Sequence, residues 1–377
     1  MTFASADGAF GGPTRVAFGQ AKALAALGHD VTVFAGTPAG EETDTDQDGY
    51  RLRTFPVRKI APFGGFATLW PRGMRAALRA HARELDIAHV HLARDLVTLP
   101  AALLLGRMGV PYVTQSHGMI DRSDKVLAGV LDRVATRRAL AGSRSWLLLT
   151  MTEEKDLSAI STPQRLTPIR NGVEAGRVTS LDGRADTVLF LARLQQRKRP
   201  VAFVQMARLL AQRLPKTDFV LVGPDEGEAD SVMSAIDEAG LGDRIRWVGA
   251  LPPSETLGAM AEARVYVLPA VDEVFPMSIL ESFSAGTPVV TTSSLGIAAD
   301  CERYGAALIT DGSPAELAEA TYLAHQNRQT ADALREGGLT YIRSELDVRD
   351  VARQLESEYR MAAGRFAQSS TRSADAL

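Results

Sequence analysis

A single cysteine, Cys301, stands among 377 residues. Neither a disulfide framework nor a cysteine-built zinc site is therefore available, and a reducing compartment is expected. No apolar run approaches the roughly 18 residues of a membrane span; the longest, LVTLPAALLLG at 96–106, is about half that length. No basic-then-apolar leader opens the chain, so the expected setting is the cytoplasm. Two nucleotide fingerprints are missing: there is no G-x-G-x-x-G and no G-x-x-x-x-G-K-[ST]. Their absence argues against a standard dinucleotide dehydrogenase and a P-loop NTPase. Lysine is also scarce, 6 against 36 arginines, which reflects a GC-rich gene more than a function.

The length suits two domains of about 150–200 residues each. Hydrophobic residues at 45% and charged residues at 23% are ordinary for a globular enzyme. Charge is uneven: residues 1–177 carry 22 Lys/Arg against 17 Asp/Glu, and the remainder 20 against 28. This basic excess is far below that of a duplex-binding domain, so no nucleic-acid partner is expected.

Strand-like and helix-like segments alternate from end to end. HDVTVFAG (29–36), DIAHVHLA (86–93) and PYVTQSHG (111–118) read as buried strands, with helical patterns at 14–27, about 67–85, 95–108 and 124–142. The pattern restarts with strands at 186–193, 218–224, 245–250, 264–270 and 287–292. Helices fit at about 199–214, 228–240, 254–262, 277–286 and from 314 onward. Such alternation implies parallel sheets covered by helices. The expected division is 1–177 and 178–346, followed by a helix at 347–364 packing back toward the first domain and a disordered tail at 365–377. Only MTFAS precedes the first glycine loop. A central parallel strand usually runs about 5–6 residues, so the natural start is expected upstream of Met1.

Three segments carry chemistry. In GAFGGPTRVAF (8–18), Gly11 and Gly12 make a tight turn and Pro13 suits a helix start, where backbone amides favour an anion. LARLQQRKRP (191–200) places Arg193 at a strand end and Lys198 at the opening of a helix, two cations suited to a diphosphate. EVFPMSILE (273–281) is the strongest signal. Pro276 fixes the start of a helix, so Glu273 falls in the preceding loop and Glu281 lies about 7.5 Å along the axis from the proline. The free amides of Phe275, Met277 and Ser278 lie between the two carboxylates. A ligand with hydroxyls at both ends and a diphosphate between them fits this layout.

Glu, seven residues and Glu, followed by SFSAGTPVV, resembles the signature of glycosyltransferase family 4, the retaining group 1 enzymes. GGP, QSHGM, IRNGVE, ARLQQRK, VLVGPDEG and RIRWVGALPPSE resemble further family segments in the same order. The resemblance implies an α/β protein of the GT-B fold, two Rossmann-like parallel-sheet domains facing across a cleft. It implies a hexosyltransferase that moves a sugar from a nucleoside-diphosphate sugar to a glycan, lipid-linked or small-molecule acceptor hydroxyl. Configuration would be retained, with no metal or other cofactor. By the same resemblance, Glu273 holds the transferred sugar and His117 lies near its reacting face. Glu281 holds the ribose, and Arg193 and Lys198 neutralise the leaving diphosphate. Gly11, Gly12, Phe275, Pro276 and Met277 line the sugar–phosphate part, and Val248 to Leu251 lie near the base. Val274 departs from the glycine the family often carries there.

Other readings stay open. A glycoside hydrolase or phosphorylase could use Glu273 and Glu281 as its carboxylate pair. A nucleotide-sugar epimerase on the same fold, or a nucleotide-sugar-binding protein with a decayed site, also accommodates these residues. TDTDQDG (43–49) contains Asp44, Asp46 and Asp48 at metal-like spacing but reads as a solvated acidic turn. His89 and His91 share one face of a strand with no third ligand apparent, so no metal site is expected. Segment 51–83 carries eight Lys/Arg and no acid, with Arg72, Arg75, Arg79 and Arg83 at helical spacing near Trp70, Met74 and Leu78. It fits either peripheral contact with an anionic membrane at the inner face or a soluble helix whose apolar side packs on a sheet.

Overall fold

The computed structural model describes residues 3–4, 12–38, 40–62, 65–120, 123, 126–174, 176 and 180–374, with the side chains of 66, 126 and 365–374 outside that description. The chain divides into two compact units. The first comprises 1–6, 13–172 and 348–377, and the second 7–12 and 173–347.

In the first unit, strands β1 (Thr32–Thr37), β2 (Thr43–Gln47), β3 (Tyr50–Lys59) and β4 (Leu69–Pro71) form one sheet in the order β1-β3-β2, with β4 on β3. β1 and β3 run parallel, and β2 and β4 run antiparallel to β3. Phe3 pairs in parallel with Gly36. Strands β5 (Ala88–His91), β6 (Tyr112–Gln115), β7 (Trp146–Leu148) and β8 (Leu166–Pro168) form a second, parallel sheet in chain order.

Two sequence expectations fail in the first sheet. The acidic stretch at 43–49 is not a loop: it is β2 and its turn, with Asp48-Gly49 joining β2 to β3 and Gly49 at φ +91°. Asp-Gly is the residue pair that two-residue hairpins select. Asp44 is tied to Arg51 at 2.5 and 2.9 Å. The helix expected at about 67–85 is confined to Met74–His81, because Pro71 lies in β4 and Gly73, at φ +83°, caps the helix.

In the second unit, strands β9 (Thr187–Leu191), β10 (Asp218–Val222), β11 (Ile245–Trp247), β12 (Val265–Leu268), β13 (Val289–Thr292) and β14 (Ala307–Thr310) form one all-parallel sheet. The order is β11-β10-β9-β12-β13-β14. Chain order therefore runs outward in opposite directions from the β9/β12 pair, leaving a crevice where the two onward connections part. That crevice, outside the carboxyl ends of the strands, is where open α/β sheets bind ligands. β14 was not read from the sequence; ALIT is too short an apolar run to announce itself between two helices.

The dividing lines fall at 172/173 and 347/348, and the closing helix belongs to the first unit. Its Val348, Val351, Ala352 and Leu355 pack with Val113 of β6 and Leu147 of β7. The helix runs from Val348 to Ala374, past the end expected at 364 and into the stretch expected to be disordered. A glycine makes the return possible. A Cβ on Gly172 would meet the Val348 Cα at 2.6 Å, far inside contact distance, so no other residue fits without backbone movement.

Candidate active site

Most of the sequence-predicted residues of the second unit gather at the β9/β12 crevice. Arg193 follows β9 directly. The chain then turns through a short 3-10 segment, Gln196–Lys198, and Pro200 opens the helix Pro200–Leu210. The loop after β12 carries Glu273, Phe275 and Pro276 into the helix Met277–Ser284. The two loops are laced together: the Val271 amide donates to the Arg197 carbonyl at 2.9 Å, and the Arg197 guanidinium donates to the Asp272 carbonyl. Lys198 Nζ meets Glu273 Oε2 in an ion pair. Residues 75 apart in sequence thus share one contact.

Pro276 occupies the N-cap position, one residue before the helix, and no side chain caps that end. The Ile279 amide donates to the Pro276 carbonyl at 3.1 Å, and a helix start without a side-chain cap is a place where backbone amides favour an anion. Tyr266 of β12 is fully buried beneath them, its hydroxyl 3.0 Å from the Leu191 carbonyl and 2.8 Å from Ser278 Oγ. The carbonyl only accepts, so the phenol proton goes there and Ser278 donates to the phenol. Burial holds that phenol well above its usual range, with the charges of Glu273 and Glu281 adding to the effect. It is a neutral strut.

Arg193 pairs with Glu226 at 2.6 Å. Glu226 lies in the loop after β10, where Asp225 accepts the amides of Gly227, Glu228 and Ala229 at 2.8–3.1 Å and so orders the turn. Both expected diphosphate cations are thus held by carboxylates. Val248 and Leu251 follow β11, with Val248 half exposed. Glu281 lies inside the helix, within the field of Tyr266. The loop around Val274 is fixed by a residue the sequence reading missed. The Gly296 amide donates to the Glu273 carbonyl at 2.9 Å, and a Cβ on Gly296 would meet the Val274 carbonyl oxygen at 2.3 Å. Val274 is therefore accommodated by a glycine 22 residues later in the chain, after β13.

Gly12 opens the helix Gly12–Ala26, and Gly11 lies outside the described residues. His117 follows β6 with φ +52°, a left-handed conformation unusual for a residue with a side chain. Its Nε2 is 2.7 Å from His91 Nδ1, and His91 stacks on His89 at 4.3 Å between centroids. Burial depresses His117 and His89 to about 3, and holds His91 well below its usual value. All three imidazoles are neutral near pH 7. The rings are linked in sequence instead of converging on a point. Among the described residues, no group of three or more His, Cys, Asp and Glu is arranged to hold a metal ion.

Segment 51–83 divides. Met74 and Leu78 are buried in the core, which is the packed-helix reading, while Arg72, Arg75, Arg79 and Arg83 are exposed. Trp70 lies in β4, opposite Arg58, with Arg75 over its ring at 5.8 Å. Among the described residues no helix is long and apolar enough to cross a membrane.

The second unit, an all-parallel sheet with a switch point, is Rossmann-like, and the comparisons place the chain in the GT-B class of α/β proteins. The structure of Anabaena HepE in complex with UDP and glucose superposes with a TM-score of 0.70 at 18% identity, covering 92% of this chain and 95% of that one. The family model for Glycosyltransferase Family 4 matches residues 10–177, and that for Glycosyl transferases group 1 matches 175–340. The chain belongs to this glycosyltransferase family. It is 28% identical over 305 residues to a glycogen synthase of Mycobacterium tuberculosis, spanning 73% of this chain and 72% of the relative. It is 27% identical over 346 residues to a D-inositol 3-phosphate glycosyltransferase of an Arthrobacter species, spanning 80% and 79%. One of these relatives is named for a polymer and the other for inositol 3-phosphate, so similarity identifies glycosyl transfer and leaves the acceptor open.

Proposed function

We propose that this glycosyltransferase takes a hexose from a nucleoside-diphosphate sugar and passes it, with retained configuration and without a metal, to an acceptor hydroxyl. The observation that carries this reading is the ion pair of Lys198, which with Arg193 follows β9, to Glu273, which with the uncapped start of Met277–Ser284 follows β12, at the reversal of strand order. The relative solved with UDP and glucose supports the choice of donor.

In this reading Arg193, Lys198 and the first amides of the helix take the diphosphate, whose charge grows as the sugar–oxygen bond breaks. Preorganised positive groups aimed at developing charge are the strongest single aid to such a step. Glu273 accepts hydrogen bonds from the sugar's hydroxyls, and Glu281 does the same for the ribose diol. Lys198 orients the Glu273 carboxylate as well as meeting the phosphate. The acceptor proton passes to the leaving phosphate oxygen, since Glu273 is engaged by Lys198 instead of standing free as a nucleophile. The same engagement disfavours the hydrolase reading, which needs two carboxylates facing one bond.

The test is incubation with UDP-, GDP- and ADP-sugars, with the released nucleoside diphosphate and the product anomer identified by mass and NMR. Release with the donor's anomeric configuration, undiminished by EDTA, is the expected result. An inverted product, a metal requirement, or neither binding nor turnover of any donor would overturn the proposal.

Peripheral contact with an anionic membrane is supported by one feature of the first unit. Arg58, Lys59, Arg72, Trp70 and the exposed Ile60 line a cavity of about 520 Å³. Basic side chains beside an exposed apolar residue and an indole suit a lipid interface.

A further inference from the structure

His117 owes its position to two residues that have no part in the proposed donor site. The first is Glu153, on the helix Met151–Ser158, whose side chain is buried. Its Oε1 accepts from the Ser116 hydroxyl and from the Gly118 amide at 2.9 Å, and its Oε2 accepts from the Leu149 amide at 2.7 Å. One carboxylate thus grips the residue before His117 and the residue after it. A non-glycine residue in the left-handed region costs on the order of 1 kcal/mol or more, and persists only where its surroundings dictate it. Charge-assisted hydrogen bonds in a buried site are strong enough to do so.

The second is His91, at the end of β5. Its ring lies within 1° of the plane of His117, with centroids 5.0 Å apart and the nitrogens 2.7 Å apart. Coplanar rings at that separation meet edge to edge in a hydrogen bond. Two neutral imidazoles share one proton in such a bond, so it couples the tautomer of His117 to that of His91 and sets its orientation. His91 is itself held: it stacks on His89, whose Nδ1 is 2.7 Å from the Tyr359 hydroxyl on the closing helix. The other nitrogen of His117, Nδ1, is buried and has no hydrogen-bond partner among the described residues.

We propose that Glu153 and His91 are positioning residues for His117, Glu153 through the backbone and His91 through the ring. The inference rests on the reading that His117 lies against the transferred sugar. A displacement of about 1 Å at such a contact is enough to cost on the order of 10²-fold in rate.

The decisive experiment is imidazole ¹⁵N NMR of the full chain in three forms: wild type, His91→Leu and His91→Asn. The asparagine amide retains a hydrogen-bonding atom near the position of Nδ1. In the wild type His117 is expected to show a single tautomer, in His91→Leu a mixture, and in His91→Asn largely the single form again. An unchanged His117 spectrum in His91→Leu overturns the proposal. In parallel, turnover of whichever nucleotide sugar is accepted is measured for His91→Leu, His117→Ala and the double variant. His91→Leu should lower kcat about 10²-fold with donor KM nearly unchanged, and the double variant should be no worse than His117→Ala alone. Additive losses would show that His91 acts on something else. If His117→Ala is fully active, the role given to His117 fails, while the tautomer measurement still judges the hydrogen bond. For Glu153, the aspartate variant shortens the grip by one methylene. It should mimic His91→Leu in kcat while keeping the far-UV spectrum, and full activity would exclude the clamp.

Discussion

The two units hold their polar residues in opposite ways. At the β9/β12 crevice the important groups are charged, partly exposed and already paired, Lys198 with Glu273 and Arg193 with Glu226. Around His117 the imidazoles are neutral, largely enclosed and joined ring to ring. The difference fits the roles proposed for each. Charged groups that wait for a polyanion need counter-ions in the meantime and stay near water, where a carboxylate is displaced cheaply. A group that must present one nitrogen at one place gains from burial, which removes the charged form and leaves direction as the controlled quantity.

The sharpest way to break this contrast is in the crevice. Glu273→Ala should reduce transfer by about 10³-fold while leaving the nucleoside diphosphate bound, and Lys198→Ala should weaken both. Calorimetric titration with UDP, GDP and ADP beside turnover separates the two variants. Equal loss of nucleotide binding in both would refute the division of roles.

Acid tests the other unit. An imidazole near pH 6.5 in the unfolded chain and held at about 3 in the fold, as for His89 and His117, takes up its proton only on unfolding. Stability is therefore full above pH 6.5 and drains away as pH falls toward 3, by about 1.4 kcal/mol per pH unit for each such group. Thermal melts from pH 7.5 to 4.5 should fall, and His89→Gln should flatten the slope. A melt whose pH slope is unaffected by that substitution counts against neutral burial.

The smallest expected effect is at Glu226. Replacing it with Gln frees Arg193 and should tighten donor binding by up to about fivefold, the worth of an exposed ion pair. Weaker binding in the donor titration would mean that Glu226 serves the donor instead of standing in for it.

The sequence made the second unit easier to read than the first, for a physical reason. A parallel sheet buried on both faces demands continuous apolar strands, and DTVLFLAR, DFVLVGP and RVYVLPA announce themselves. The first unit mixes parallel and antiparallel pairs with exposed edges. There β2 is almost wholly polar, and its signal was the Asp48-Gly49 turn, not its strand residues. Among site residues, Arg193, Lys198, Glu273 and Glu281 could be picked out from motif spacing. Glu226, Gly296 and Glu153 could not, and His91 stood out only for sharing a strand face with His89. Gly296 and Glu153 act largely through backbone groups of distant residues, and Glu226 through one side-chain contact, and none of these three leaves a local pattern.

The sequence alone determined the alternation of strands and helices, the proline that starts the Met277–Ser284 helix, and the identities of the charged residues near it. Only the tertiary structure decided that β9 and β12 are neighbours, so that Lys198 meets Glu273 across 75 residues of chain. It alone turned His117 into a left-handed residue held by Glu153 and His91. Local spacing follows from backbone geometry and is written in the order of residues. Which strand ends meet is set by sheet order, and that is selected by burial summed over the whole domain.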